Sequence, residues 1–432
     1  MRPRRLFIAS CTALVTTAMV FSIRGDILDA LGTDFHLNKE QLGLLLSPAF
    51  WGFTVSIMLG GALVDFFGMR RLLLLSSAGY VTSVLAIIFA PHPSAAVIPF
   101  YTDPGFITLY AGMLMLGLSQ GLVEGVINPL CATIYPNDKT RKFNILHAWW
   151  PGGLIIGGLL AFLITKTLAL DTRVPAATAT FGWRIKLALV LFPAIGFALM
   201  ILDQRFPQTE RVTAGVSNRN MVRATLNPMF LVWFGLMWLT ASTELGPGQW
   251  IGSVITNLTG MQGILVLVYT AGVVFLLRFF GGGLAHKLSP VGLLAIASVL
   301  AGAGLAGLSL AKSPLELFSA ATAFGAGTSY FWPIMLGVTS ERFPETGPAG
   351  LAIMGGTGQL ATAFILPMMG RWYDTRGPAA AFQIVAILPM VLTVAFATLF
   401  MHYRAQGGYK AIALRPGERA EEHVTAQPRT GV

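Results

Sequence analysis

The chain has 432 residues, of which 54% are hydrophobic and 48 are glycine, while charged residues make up only 11%. That is less than half the charge of an ordinary soluble domain, too little polar surface to cover a soluble core of this length, so a soluble enzyme and a disordered chain are both excluded. The formal charge of +10 does not indicate nucleic acid, because the basic residues sit in short loops between apolar runs and in a polar C-terminal tail, as membrane topology dictates.

The apolar runs are about 20 residues long, enough for a helix to cross a bilayer, and do not alternate as barrel strands do. Twelve are counted, near 6–30, 41–66, 72–90, 106–134, 144–165, 184–202, 227–255, 262–282, 290–310, 315–339, 348–369 and 379–402. The first contains Ile8-Ala9-Ser10-Cys11, which has the look of a lipoprotein cleavage box. Only Leu6 and Phe7 precede it after Arg5, too short for the apolar region of a signal peptide, so it reads as the start of an uncleaved helix. Cys11 and Cys131 both lie in apolar runs and imply neither a disulfide framework nor a metal site. The polar stretch 203–226 divides the chain into two sets of six spans, a bundle over 1–202 and a bundle over 227–403, and 404–432 reads as a disordered tail. Most of the 29 Lys and Arg fall on the side of the N-terminus, with Lys39, Lys166, Arg184 and Lys186 among the minority opposite. This bias puts both termini in the cytoplasm of a cell (inner) membrane protein.

The halves echo each other. Gly61-Ala62-Leu63-Val64-Asp65-Phe66-Phe67-Gly68-Met69-Arg70-Arg71 closes the second span, and Gly282-Gly283-Leu284-Ala285-His286-Lys287-Leu288 closes the eighth. Tyr135-Pro136 after the fourth matches Phe343-Pro344 after the tenth. Repeated six-helix halves are a transporter signature, because two similar bundles can rock about a midplane site.

Gly61-x-Leu63-x-Asp65-x-x-Gly68-x-Arg70-Arg71 resembles the loop 2–3 signature of the major facilitator superfamily in residue types, spacing and placement. The resemblance implies a fold of twelve transmembrane helices in two pseudo-symmetric bundles. It also implies that Asp65 with Arg70 and Arg71 forms an inter-helix charge network on the cytoplasmic side, which breaks when that gate opens. His286 stands where the second copy would carry the Asp, so any network there is weaker or pH-dependent.

Ionisable groups inside spans cost several kcal/mol and are functional candidates by default. Here they are Arg24 and Asp26 in span 1, Glu124 in span 4, Glu244 in span 7 and Arg278 in span 8, joined by His147 in span 5. Gln120, Glu124 and Asn128 are spaced four apart and share one helix face. The apolar neighbours from Val123 to Ile127 would desolvate the carboxylate, and Glu124 is accordingly the first candidate for carrying a proton; its alternative role is a hydrogen bond between helices. Arg24 and Asp26 are two apart, point to opposite faces, and each should meet a partner on another helix.

Asp26-Ile27-Leu28 followed by Ser47-Pro48-Ala49-Phe50, and Glu124-x-x-x-Asn128-Pro129 followed by Asn144-Ile145-Leu146-His147, resemble the bacterial L-fucose/proton symporters and related hexose permeases. That resemblance assigns proton coupling and sugar contact to Asp26 and Glu124. Trp149-Trp150-Pro151 departs from the pattern, where those permeases carry smaller or amide residues.

Trp149 and Trp150 sit deeper than an interfacial belt and offer indole faces to a pyranose, and His147 could bind hydroxyls or relay protons. In span 7, Glu244-Leu245-Gly246-Pro247-Gly248-Gln249-Trp250 should break its helix and line a cavity with Glu244, Gln249 and Trp250. Spans 10 and 11 add Tyr330 and Gln359, uncharged groups suited to a neutral polyhydroxylated substrate. Arg278 supports a competing reading, since an arginine in span 8 resembles those of nitrate-type permeases. Against it, Asp26, Glu124 and Glu244 outnumber Arg24 and Arg278, an acidic excess that would repel an anion. Its alternative role is a gate salt bridge to Glu124 or Glu244.

The sequence therefore reads as a monomeric proton-coupled sugar symporter working by alternating access, with an organic-anion or nitrate-type permease next and a drug/proton antiporter third. Its partners are a neutral sugar, protons and the bilayer, and no cofactor or metal is implied. The one Gly-x-Ser-x-Gly, Gly117-Leu118-Ser119-Gln120-Gly121, lies within the fourth apolar run, and there is no His-Glu-x-x-His or phosphate loop, so an enzyme is not expected.

Overall fold

The structure, a computed structural model, describes residues 2–93, 99–135, 139–168, 176–207, 223–280, 289–410 and 412. Its first half runs α1 (Pro3–Asp26), α2 (Leu28–Asp34), α3 (Lys39–Phe67), α4 (Met69–Ile88), α5 (Pro104–Ile134), α6 (Lys139–Thr167), α7 (Ala176–Ala188) and α8 (Leu191–Ile201). The second half runs α9 (Pro228–Thr259), α10 (Gly263–Phe280), α11 (Pro290–Leu310), α12 (Pro314–Thr328), α13 (Phe331–Arg342), α14 (Gly347–Arg376), α15 (Pro378–Val385) and α16 (Ile387–Ala405). Eleven spans among the described residues are long and apolar enough to cross a bilayer. The twelfth crossing is α12 with α13, whose two pieces are each too short alone.

Hydrocarbon offers no partner for backbone N–H and C=O groups, so each apolar run closes its hydrogen bonds internally as a helix. Polar caps mark where runs re-enter water. Asn38 and Gln41 form a reciprocal capping box on α3, Asp103 accepts from the Gly105 and Phe106 N–H groups at α5, and Ser313 accepts from Glu316 N–H at α12, each satisfying orphan donors of the first turn. Gly68, at φ +81°, makes the turn from α3 to α4, a left-handed conformation that explains the signature glycine.

Three helix interruptions have one cause. A proline removes the bond to the carbonyl four residues back and its ring presses on that carbonyl. The breaks after Ala188, Thr328 and Val385 fall at or next to Leu189, Ser329 and Val385, the residues four before Pro193, Pro333 and Pro389. Span 7 corrects the sequence reading. Gly246-Pro247-Gly248 lies inside the continuous helix α9, because one missing bond is tolerated where no water competes for the remainder and the flanking glycines carry no Cβ to collide.

The two halves meet most extensively along α3 and α14. The contact is closest near the start of α3. A Cβ on Gly43 would stand 2.5 Å from the Leu366 carbonyl oxygen, and one on Gly370 would stand 2.1 Å from that of Lys39, so only glycine permits this approach. Further along, Thr54 Oγ1 donates to the Gly356 carbonyl at 2.7 Å. At the far end of the bundle Phe66 and Phe280 are 81% and 76% exposed. The molecule is thus closed at the end holding the α2–α3 connection.

Candidate functional site

The closed end is fastened by polar groups from both halves. Asp29, on α2, is ion-paired with Lys39 and accepts from Ser253 Oγ at 2.6 Å and Asn257 Nδ2 at 2.8 Å on α9. Asp374, at the end of α14, accepts from the backbone N–H groups of Lys39 and Glu40 at 3.1 and 2.8 Å. A carboxylate from one half therefore caps a helix of the other, where the helix dipole favours negative charge. The sequence reading missed this cluster, whose residues lie hundreds of positions apart in ordinary span-end composition.

Below it, the intramembrane charges separate into paired and unpaired groups. Asp26, the last residue of α1, is ion-paired with Lys186 on α7 at 2.6 Å, both nearly buried. Lys186, counted on the outer side at the edge of span 6, lies in α7 facing α1. Glu244 on α9 is 3.4 Å from Arg278 on α10, and Arg278 Nε also donates to the Ser329 carbonyl at 3.0 Å. That carbonyl is the one Pro333 leaves without its helical donor, so the break in span 10 supplies the acceptor for Arg278. With Asp26 and Glu244 paired, Glu124 stands against Arg24 alone, and the acidic excess expected of the cavity is absent.

Arg24 is the exception to pairing. It is only 1% exposed, yet its Nε and Nη1 have no hydrogen-bond partner. Its guanidinium lies 4.9 Å from the Phe50 ring and 5.9 Å from that of Phe21, a cation–π setting that offsets only part of the lost hydration. Phe21 in turn meets Trp150 edge to face at 5.9 Å. Glu124, partly exposed, makes no hydrogen bond or ion pair among the described residues. Tyr80, bonded to Thr17 at 2.7 Å, lies within electrostatic reach of both Arg24 and Glu124.

The other predicted residues fall around this core. His147 shares a hydrogen bond with Asn128 at 3.1 Å and lies within electrostatic reach of Arg278 across the halves. Gln120 is buried with its Nε2 unpartnered, as is the Tyr330 hydroxyl. Gln359 is buried on α14. Trp150 faces inward onto Phe21, whereas Trp149 is 42% exposed. Gln249 is fully buried, donates to the Phe21 carbonyl at 2.8 Å and keeps its Oε1 free. Trp250 is equally buried and donates to the Leu366 carbonyl at 3.3 Å, a position inside the contact between halves.

In the loop signature, Arg70 donates to the Leu202 carbonyl beyond α8 and Arg71 is exposed. Gly61 lies in α3. The Asp65 side chain, Pro136 and the second copy at 281–288 lie outside the described residues.

Twelve crossings in two bundles, buried charges between them and one end fastened shut define a multi-pass membrane transporter. A family model described as Major Facilitator Superfamily matches residues 6–315, and the chain belongs to that superfamily. The human voltage-gated purine nucleotide uniporter SLC17A9 is 25% identical over 161 residues, 36% of this chain and 35% of that protein. The chain thus matches about a third of the length of that relative. Membrane protein MosC of Rhizobium meliloti is 23% identical over 411 residues, 91% of each chain. The xylose transporter XylE from E. coli, in a partially occluded inward-open conformation, superimposes with a TM-score of 0.75 at 12% identity, covering 92% of this chain and 99% of that one. At that identity the likeness shows the fold.

Proposed function

We propose that the chain is a proton-coupled symporter of a sugar-type solute, acting as a monomer in the cytoplasmic membrane by alternating access. The observation that carries the reading is Glu124, a carboxylate without a charge partner among the described residues, on the same helix face as Gln120 and Asn128, the latter bonded to His147. A carboxylate held this way can gain and lose a proton without breaking a salt bridge. Polar amides, together with the aromatic face of Trp150, are what a polyhydroxylated ring requires. Asp26 shares the coupling by the resemblance to fucose permeases, with Lys186 as its resting partner. Glu244, Tyr330, Gln359 and Gln249 complete the C-terminal side in this reading, with Trp250 next to Gln249 and Trp149 on α6 of the opposite half.

With both termini cytoplasmic, the end fastened by Asp29, Lys39 and Asp374 faces outward and the molecule is inward-facing, with Asp65, Arg70 and Arg71 as the opposing latch. The test is uptake of radiolabelled monosaccharides into proteoliposomes under an imposed proton gradient. Accumulation that collapses with a protonophore supports the reading, and a sodium requirement contradicts it.

A second reading, an organic-anion permease, is favoured by the unpaired guanidinium of Arg24.

A further inference from the structure

Arg24 has no role in the sugar reading as it stands. A guanidinium cannot lose its charge under ordinary conditions, and burying one without acceptors is costly. The fold spends that energy although α1 could hold an apolar residue there. Arg278 shows how the same protein treats an arginine used for structure, with a carboxylate and a carbonyl as acceptors. The Nε and Nη1 groups of Arg24 are buried donors without acceptors, and a carboxylate is the acceptor a guanidinium binds most strongly.

We infer that Arg24 is the binding group for a carboxylate carried by the substrate, so that the transported solute is a sugar acid of the uronate or aldonate type. This rests on the sugar-symport reading and narrows its substrate class. Charge balance then gives a coupling rule. In the empty carrier the Glu124 carboxylate and the Arg24 guanidinium, which both act on Tyr80, balance in sum without pairing. When the substrate carboxylate takes the guanidinium, Glu124 becomes an excess negative charge and is favoured to take a proton from the same aqueous side. The titratable and charged groups facing α5 from its neighbours are Tyr80 on α4, Arg24 on α1 and His147 on α6, while α3 brings Gly60 against Gly125. One proton moves with one carboxylate, so the loaded site gains no net charge and transport is electroneutral.

The experiment uses the full-length protein, by thermal shift in detergent and by flux with current recording in proteoliposomes, with D-glucuronate, D-gluconate, D-glucose, L-fucose and nitrate as probes. Expected are stabilisation by a sugar acid, its proton-coupled uptake without net current, and a loss of affinity of at least about ten-fold in Arg24→Gln, since a charge-assisted bond is removed. Arg24→Lys, which keeps the charge without the fork, should fall between the two. If glucose or fucose stabilises the wild type and the acids do not, the carboxylate inference fails and the sugar reading stands. If nitrate alone binds, or no sugar of either kind does, the sugar reading itself fails. Uptake of the acid that carries current overturns the charge-balance rule, and unchanged acid affinity in Arg24→Gln overturns the assignment of Arg24.

Discussion

Arg24, fully buried in one half of this protein, and Arg278, mostly buried in the other, are treated in opposite ways. Arg278 is held between Glu244 and a carbonyl that a proline has set free. Arg24 is enclosed by aromatic rings and has no acceptor for Nε or Nη1. The same contrast separates the acids, because Glu244 and Asp26 are paired while Glu124 has no partner among the described residues. Satisfied charges of this kind hold helices in register and lose energy when a partner is removed. On the reading proposed here, the unpaired ones lower stability in the resting protein and serve to bind substrate and proton.

The largest expected effect tests the paired side. Glu244→Ala leaves Arg278 buried without its carboxylate and should destabilise the protein by about 3–5 kcal/mol, read as a lowered unfolding temperature in detergent. A Glu244→Ala/Arg278→Met double variant should recover most of that loss. Arg24→Gln, which breaks no native bond, should leave the unfolding temperature unchanged or raised. A drop as large as that of Glu244→Ala would erase the contrast between the two arginines.

Next is the pair of Asp26 and Lys186, whose partnership the sequence reading did not name. Lys186→Gln should cost about 1.5–3 kcal/mol, the range for a hydrogen bond to a charged group, and Asp26→Asn should cost a similar amount. If Asp26→Asn abolishes proton-driven uptake while Lys186→Gln preserves it, Asp26 belongs with Glu124 on the functional side.

A smaller effect is expected at the aromatic wall. Trp150→Ala should weaken substrate binding by about 0.5–1.5 kcal/mol beyond the loss of contact area if the indole stacks on the ring. An unchanged dissociation constant by calorimetry would make Trp150 a packing residue.

The smallest effect lies outside the membrane. Asp203 follows α8 and pairs with Arg5 at 2.9 Å; the Gln204 side chain, then Arg5, holds its carboxyl below the usual range. A depressed carboxylate stabilises above its ordinary titration range and loses that contribution as pH falls through the lowered value. Asp203→Asn should therefore alter unfolding at neutral pH and above, with the difference vanishing in strong acid, and by little, since the site is exposed.

The fold was legible because each crossing is a continuous apolar run bounded by polar caps, and the Gly61–Arg71 signature adds a local pattern that needs no tertiary information. Span 7 was misread because a Gly-Pro-Gly triplet carries the same local signal whether or not the surrounding helix tolerates one missing bond. The intramembrane charges were visible as residues, and Glu244 was one of the two partners named for Arg278, but Lys186 was not named as the partner of Asp26. Lys186 stands at the edge of span 6 and was counted only for its side of the membrane, and the Ser329 carbonyl bonded to Arg278 depended on where Pro333 broke a helix about fifty residues away. That Arg24 would meet no acceptor could not be read at all, since an absent partner leaves no trace in a single chain of letters.

The claim at the centre of this account is that Glu124, unpaired in the resting protein, carries the proton. Glu124→Gln fixes the protonated form, so substrate should still bind and exchange across the membrane while the proton gradient no longer drives the site. The direct measurement is a proteoliposome assay of this variant in two modes, counterflow at equal pH and uphill uptake under an imposed gradient. Retained counterflow with lost uphill uptake, at an unchanged unfolding temperature, is the predicted result. Intact uphill accumulation would contradict it and move the coupling site to Asp26 or Glu244.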